Sequence, residues 1–248
     1  MKTVRNINIS IVIPVLGDTP ALSSLLETLH SLDDAPLEII VVDGANDPAV
    51  AACCQQFDCI RLNTRAGRGH QLHGGALRAA GNVIWFLHAD ADPPRDGIES
   101  IRRAVRAGAG GGYFRFHFTG RPAWYKSIIA RLINVRCRFG TPYGDQGLFF
   151  RKADYIEAGG FPDAALFEEV PLVRAVRDAG RFVQLDTRIG VSPRRWERDG
   201  WIRRTLGNRL LALGYMLGLS PNTLARYYRG NQGRTHCPTI SQPQEIKR

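Results

Sequence analysis

Val83-Ile84-Trp85-Phe86-Leu87-His88-Ala89-Asp90-Ala91-Asp92-Pro93-Pro94 decides the reading of this chain. An apolar run meets two carboxylates one residue apart, and a Pro-Pro pair ends it. A run with no polar alternation reads as a strand buried on both faces, as in a parallel sheet. Carboxylates at the end of such a strand stand at the carboxyl edge, where open α/β sheets bind ligands. Two acids this close repel unless a proton or a cation intervenes. A divalent ion that also meets phosphate oxygens satisfies them, and the competing reading is a solvated Asp-rich turn.

The flanking sequence repeats the pattern. Ile7 to Val15 reads as a first strand closed by Pro14, and Asp18-Thr19-Pro20 as a helix start followed by leucines at helical spacing. Leu37 to Val42 reads as a second strand with Asp43 at its carboxyl end, and Ile60 to Asn63 as a short third. Arg65 to Ala76 is a Gly-rich, basic loop leading into a helix, a weak phosphate-binding signal. His70 and His73 read as surface or packing residues ahead of metal ligands. The order strand–helix–strand–strand–helix–strand describes a nucleotide-binding α/β half. Right-handed crossovers then bring Asp43, Arg68, Asp90 and Asp92 to one edge.

Further on, Ile98 to Ala107 and Trp124 to Arg138 read as helices, and Tyr113 to Phe118 as an alternating strand. Phe167-Glu168-Glu169-Val170 opens another helix, and Arg181 to Val191 reads as an extended pair. Trp201 to Tyr228 carries Ile202, Leu206, Leu210, Leu213 and Leu217 at helical spacing. That helix either covers the sheet or lies in a membrane interface. The expected division is a domain over 1–200, a basic amphipathic helical segment over 201–229 and a disordered tail over 230–248.

The chain has 248 residues, 44% of them hydrophobic, enough for a large α/β domain with a sizeable core. Five cysteines form no Cys-x-x-Cys pair, which points to a reducing compartment and away from structural zinc. No secretory signal and no membrane-spanning stretch is read. The net charge is +10, and from Arg194 onward 11 Lys and Arg face 3 Asp and Glu. A basic tail suggests an anionic partner. Scattered aromatics and strand-end acids argue against nucleic acid.

Asp43-Gly44, Asp90-Ala91-Asp92 and Glu168-Glu169, in that order, resemble family 2 glycosyltransferases of the GT-A fold. Gly67-Arg68-Gly69-His70-Gln71-Leu72, Tyr143-Gly144-Asp145-Gln146-Gly147 and Ser192-Pro193-Arg194-Arg195-Trp196 are similar to the bacterial branch called rSAM/selenodomain-associated. The resemblance implies a mixed, mostly parallel central sheet with helices on both faces. It also implies a metal-dependent, inverting transfer of a sugar from a nucleotide-sugar donor, UDP-linked by preference, to an acceptor hydroxyl. Pro14, Val15, Asp43, Arg68, Gln71, Asp90, Gln146, Arg194, Arg195 and Trp196 would bind the donor. Asp92 and Asp90 would hold Mg²⁺ or Mn²⁺ in the DxD motif. Glu169 or Glu168 would be the base, raised by an apolar wall such as Phe149 or Phe167, and Asp145 would act beside it. The acceptor is unspecified. A lipid or membrane-borne one, with the chain cytoplasmic and peripheral on the inner membrane through its basic helix, fits the tail.

The sequence departs from the family pattern where Leu16-Gly17-Asp18 replaces the usual Asn-Glu. Asp18 then supplies that acid or caps the helix. It departs again where Ser192 replaces the Gln of processive members. Two alternatives stay open: a sugar-phosphate nucleotidyltransferase, and a non-catalytic protein of membrane surfaces.

Overall fold

A computed structural model describes residues 6–230 of the 248. Residues 1–5 and 231–248, the latter most of the tail read as disordered, lie outside the described residues. The first half runs β1 (Ile9–Val15), α1 (Thr19–His30), β2 (Glu38–Asp43), α2 (Pro48–Gln56), β3 (Ile60–Asn63), α3 (Arg68–Arg78) and β4 (Val83–Phe86). The two-residue β5 (Ala91–Asp92), α4 (Gly97–Arg106), β6 (Gly111–Phe118) and α5 (Trp124–Phe139) follow. A short 3₁₀ turn at Gly144–Gln146 leads to β7 (Phe149–Arg151), α6 (Lys152–Glu157), α7 (Glu169–Asp178) and β8 (Phe182–Val191). The chain closes with α8 (Arg194–Asp199), α9 (Trp201–Met216) and α10 (Pro221–Gly230).

Among the described residues the strands form one eight-stranded sheet in the order β3-β2-β1-β4-β7-β6-β8-β5. β7 and β5 run against their neighbours, so the sheet is mixed and mostly parallel. The chain leaves β1 toward β2 and β3 and returns to β4 on the other side of β1. That reversal opens a crevice at the carboxyl ends of β1 and β4, the usual ligand position in such sheets.

Strand alternation splits the core in two. Ile11, Ile13 and Trp85 pack with α1 and α4 on one face. Val12, Ile84 and Phe86 pack with α3, α6 and α7 on the other. Helix α3 lies so close to the sheet that a Cβ on Gly75 would stand 2.4 Å from a Val12 methyl. A Cβ on Gly69 would stand 2.4 Å from the Pro162 carbonyl. Gly69 and Gly75 therefore permit close packing of α3, whereas Gly67 and Gly74 have only ordinary contacts around them.

Three expectations need correction. Between β2 and β3 the chain forms α2, whose Ala- and Cys-rich sequence carries little amphipathic signal, although Asp47-Pro48 is a legible start: the Asp47 carboxylate accepts from the Ala49 amide at 2.9 Å. Residues 182–191 form one strand, and the suspected pairing is instead a register irregularity against β6 near Arg115. The Trp201–Tyr228 helix is broken between Met216 and Pro221, where Gly218 takes φ +88°. Its apolar row faces solvent and does not cover the sheet.

Helix α5 docks on β6 through Asn134, whose amide accepts from the Phe116 N–H at 2.8 Å and donates to its carbonyl at 2.9 Å. One side chain thus stands in for a strand partner and satisfies a ladder position. The described cysteines, Cys53, Cys54, Cys59 and Cys137, are free thiols.

Candidate active site

The site is built around the start of α7. Phe167 takes φ +62°, a left-handed conformation rare for a large side chain. The turn delivers Glu168 and Glu169 into the protein, only 1% and 2% exposed. Arg68, at the start of α3, is ion-paired with Glu168 and stands 3.9 Å from Glu169. Glu169 Oε1 accepts from the Gly144 amide at 3.0 Å, and its Oε2 is buried without a hydrogen-bond partner. Burial, then the neighbouring Glu168 charge, pushes the Glu169 carboxyl up to about 7, against the pull of Arg68 and the amides.

Glu169 opens into a cleft of about 120 Å³ with His88, Asp90, Asp145, Phe167, Ser192, Arg195 and Trp196. Phe167 is thus part of the wall expected beside the base, whereas Phe149 lies in the core under α1 and α4. Glu168 is not among the lining residues. Burial raises Asp145 above the ordinary carboxylate range, although Arg136, Arg68 and Arg195 oppose it. His88 is driven down to about 3 by burial and by Arg68 and Arg195, which makes it a neutral imidazole. Its Nε2 is buried and unpartnered.

A second cavity of about 350 Å³ holds Asp18, Asp90, Asp92, Thr119, Ser192 and Arg194. Asp90 and Ser192 line both spaces, so the loop after β4 and the loop after β8 form the wall between them. The adjacent arginines divide: Arg194 serves the Asp92 side and Arg195 the Glu169 side. Asp92 is held by β5, which pairs with Gly190 of β8. A Cβ on Gly190 would lie 2.6 Å from the Asp92 carboxylate. Asp18 caps α1, accepting from the Ala21 amide at 3.3 Å, and also faces this cavity.

Several side chains expected at the donor also hold partners within the fold. Asp43 is fully buried, and Arg61 donates to it at 2.7 and 3.2 Å while the amides of Ala45 and Asp47 donate at 2.9 and 2.8 Å. Burial would raise this carboxyl, but Arg61 and the two amides outweigh it and hold it below the ordinary range. Asp43 therefore fixes the turn into α2 and lines neither cavity. Gln71 spends its amide hydrogens on the carbonyls of Val15 and Val42, at 2.9 and 2.8 Å, which ties α3 to the ends of β1 and β2. Gln146 is buried between Cys137 and the Phe114 carbonyl. Pro14 and Val15 sit in register with Val42 and Asp43, also outside both cavities. Trp196 borders the cleft from inside a cluster with Phe116, Phe118 and Trp201. His73 bonds the Tyr155 hydroxyl at 2.9 Å, a packing role.

Arg61→Leu should cost about 2–3 kcal/mol, because it strands a buried carboxylate beside two amides. A depressed carboxyl stabilises the fold above its ordinary value of 3.8, and that contribution is lost as pH falls through the folded-state value. Urea melts at pH 7 and pH 3 should therefore separate the variant from the parent more at pH 7. Equal gaps would contradict this account of Asp43.

His88, Tyr143, Arg204, Asn208 and Leu211 line the cleft without having been singled out. His88 was legible as the first polar residue after the apolar run. Arg204, Asn208 and Leu211 recur at helical spacing on α9, a second face that the apolar row had masked.

Carboxylates thus stand at the carboxyl edge of the α/β sheet, flanked by arginines and backed by a buried acid pair. The chain belongs to glycosyl transferase family 2, whose family model matches residues 10–159. That match ends before Glu168-Glu169 and Ser192 to Trp196, and it does not separate the narrower branch. No curated protein sequence matches. Among solved structures, S. aureus TarS 1–349 in complex with UDP superposes with TM-score 0.59 at 15% identity, over 75% of this chain and 60% of that one. The mannosyltransferase PcManGT from Pyrobaculum calidifontis, in complex with GDP-Man and Mn²⁺, gives TM-score 0.59 at 19% identity over 91% and 70%. Glucosyl-3-phosphoglycerate synthase from Mycobacterium tuberculosis, with Mn²⁺, UDP and glucosyl-3-phosphoglycerate, gives 0.54 at 17% over 75% and 71%. These likenesses establish the GT-A fold.

Proposed function

We propose that the protein transfers a sugar from a nucleoside diphosphate donor, a UDP-sugar by preference, to an acceptor hydroxyl with inversion. The observation that carries this is Glu169: a buried carboxylate raised toward neutrality, with one oxygen unpartnered, at the edge of a cleft that shares Asp90 with the cavity of Asp92 and Arg194. A base works best when its pKa lies near the working pH. The acceptor hydroxyl gives its proton to Glu169, its oxygen bonds the anomeric carbon, and the diphosphate departs from the opposite side with the bonding pair. Arg194 and Arg195 place positive charge on either side of Asp90 for that departing group. Neutral His88 offers a hydrogen bond without adding charge. The UDP and GDP-Man in the structures similar to this one support the donor class.

Asp90 and Asp92 supply two hard oxygen donors, a set that suits Mg²⁺ or Mn²⁺. Among the described residues no group of three or more His, Cys, Asp or Glu could hold a metal by itself. The pair therefore fits an ion that is completed by diphosphate oxygens. When bound, the ion offsets charge on the leaving diphosphate. The nucleotidyltransferase alternative finds no support in the family match, and membership of the narrower bacterial branch remains part of this proposal. So does an acceptor carried on a lipid or held at a membrane.

A thermal-shift screen of UDP-, GDP- and dTDP-sugars with and without Mn²⁺ tests the reading. A ligand that binds only the native state raises the melting point. The expected result is a rise with a UDP-sugar that needs the metal. No shift with any of the three would sink the donor assignment.

A further inference from the structure

The apolar row on α9 faces solvent. Ile202, Leu206, Leu210 and Leu213 keep helical spacing and are 50–76% exposed. The other side of the same helix carries Arg204, Asn208 and Leu211, which line the Glu169 cleft. Helix α5 runs beside it: Tyr125 meets Trp201 with ring centroids 4.9 Å apart, and Ile129 and Leu132 share an apolar groove with Thr205 and Ala212. Ile128, Leu132, Val135 and Phe139 form a second stripe, 48–87% exposed. Exposed apolar rows on neighbouring helices are the kind of surface that marks an interaction site.

Charge says what covers them. Helices α5, α9 and α10 carry four, three and two Lys or Arg, and no Asp or Glu. Beside α5 lies a cavity of about 690 Å³ whose lining includes Arg115, Lys126, Arg131, Arg138 and Arg188 but no carboxylate. Asp186 and Glu197 pair with Arg115 and Lys126 at 3.6 and 3.7 Å from outside it. A second copy seated on this face would set a large excess of cations against cations, with only Asp186 and Glu197 beside them, a costly arrangement. An acidic lipid surface answers both features. Its acyl region takes the apolar rows and its phosphates take the guanidinium groups.

We propose that the α5–α9 face docks on an anionic bilayer, with both helices lying in the plane of the interface. No described helix is long and apolar enough to cross a membrane, so the mode is attachment. Docking stands apart from the transfer chemistry, yet α9 then has lipid on one side and the cleft on the other. An acceptor held in the membrane would reach Glu169 around a single helix.

The test is co-sedimentation of the full chain with phosphatidylcholine vesicles, with and without phosphatidylglycerol. The expected result is binding to the anionic vesicles alone, weakened by added salt. Leu206→Glu with Leu210→Glu should weaken that binding about tenfold or more at an unchanged melting point, since both positions are exposed. Arg131→Glu with Arg138→Glu should erase the preference for anionic lipid. Failure to bind anionic vesicles would overturn the proposal, as would unaltered binding by both variants. A dimer dissolved by the leucine variant would assign the face to a second copy and also overturn it. Donor-induced thermal shifts are read separately, so a failed donor reading leaves this result standing, and the reverse holds.

Discussion

Glu169→Gln should abolish transfer while leaving donor binding unchanged. The amide keeps an oxygen for the Gly144 N–H, so the start of α7 holds its place, but it cannot take a proton. Loss of a positioned base costs about 10²–10⁴-fold in kcat. The parent's kcat should rise with pH and level off above about 7, where the carboxyl has ionised. Stability runs the other way. A carboxyl raised from 4.5 to about 7 keeps its proton in the folded state where the unfolded chain has released it. Parent stability therefore falls across that window, at about 1.4 kcal/mol per unit of pKa shift. The Gln variant lacks this fall, which denaturation at pH 5 and pH 8 would show. If transfer persists in the variant, the base is elsewhere, and Glu168, which Arg68 already holds as an ion pair, is the next to test.

Asp92→Asn should remove the metal-dependent part of donor binding. Asp92 is exposed in its cavity, so its loss leaves the core untouched. On the proposed reading the two carboxylates would hold the cation together with the diphosphate, so removing one should weaken donor binding by about 10–100-fold, the range found for perturbed metal sites. Binding of UDP with and without Mn²⁺, measured by calorimetry, is the readout. The variant should bind equally in both conditions. A full metal response in Asp92→Asn would remove Asp92 from the ligand set and leave Asp90 to be tried. Asp90→Asn should have wider consequences, because Asp90 lines both cavities.

The sequence was most informative where one residue type had one physical outlet. Val83 to Phe86 reads as an interior strand and forms one, which puts Asp90 and Asp92 beyond its carboxyl end. Glu168 and Glu169 were legible as a pair beside a helix start, but not their order of use. The left-handed Phe167 aims the pair, and a backbone angle at a non-glycine leaves no pattern in sequence. Asp43, Gln71 and Gln146 show another limit. Each has the right chemistry for a nucleotide, and each also has a structural partner that no local pattern announces: Arg61, the Val15 and Val42 carbonyls, and Cys137. Gly75 shows why a glycine is ambiguous in sequence: close backbone approach looks the same whether the neighbour is a phosphate or Val12.

The amino-acid order by itself determined most of the strand and helix order, though not α2 or the break after α9, together with the edge on which the acids gather and the family resemblance, because periodicity and turn chemistry act over a few residues. Tertiary structure alone decided which acids line a cavity, that Asp90 joins two of them, and that the apolar rows of α5 and α9 point to solvent. Burial and partnership depend on what the rest of the chain places opposite a side chain, and that is set by crossovers spanning tens of residues, beyond the reach of any local pattern.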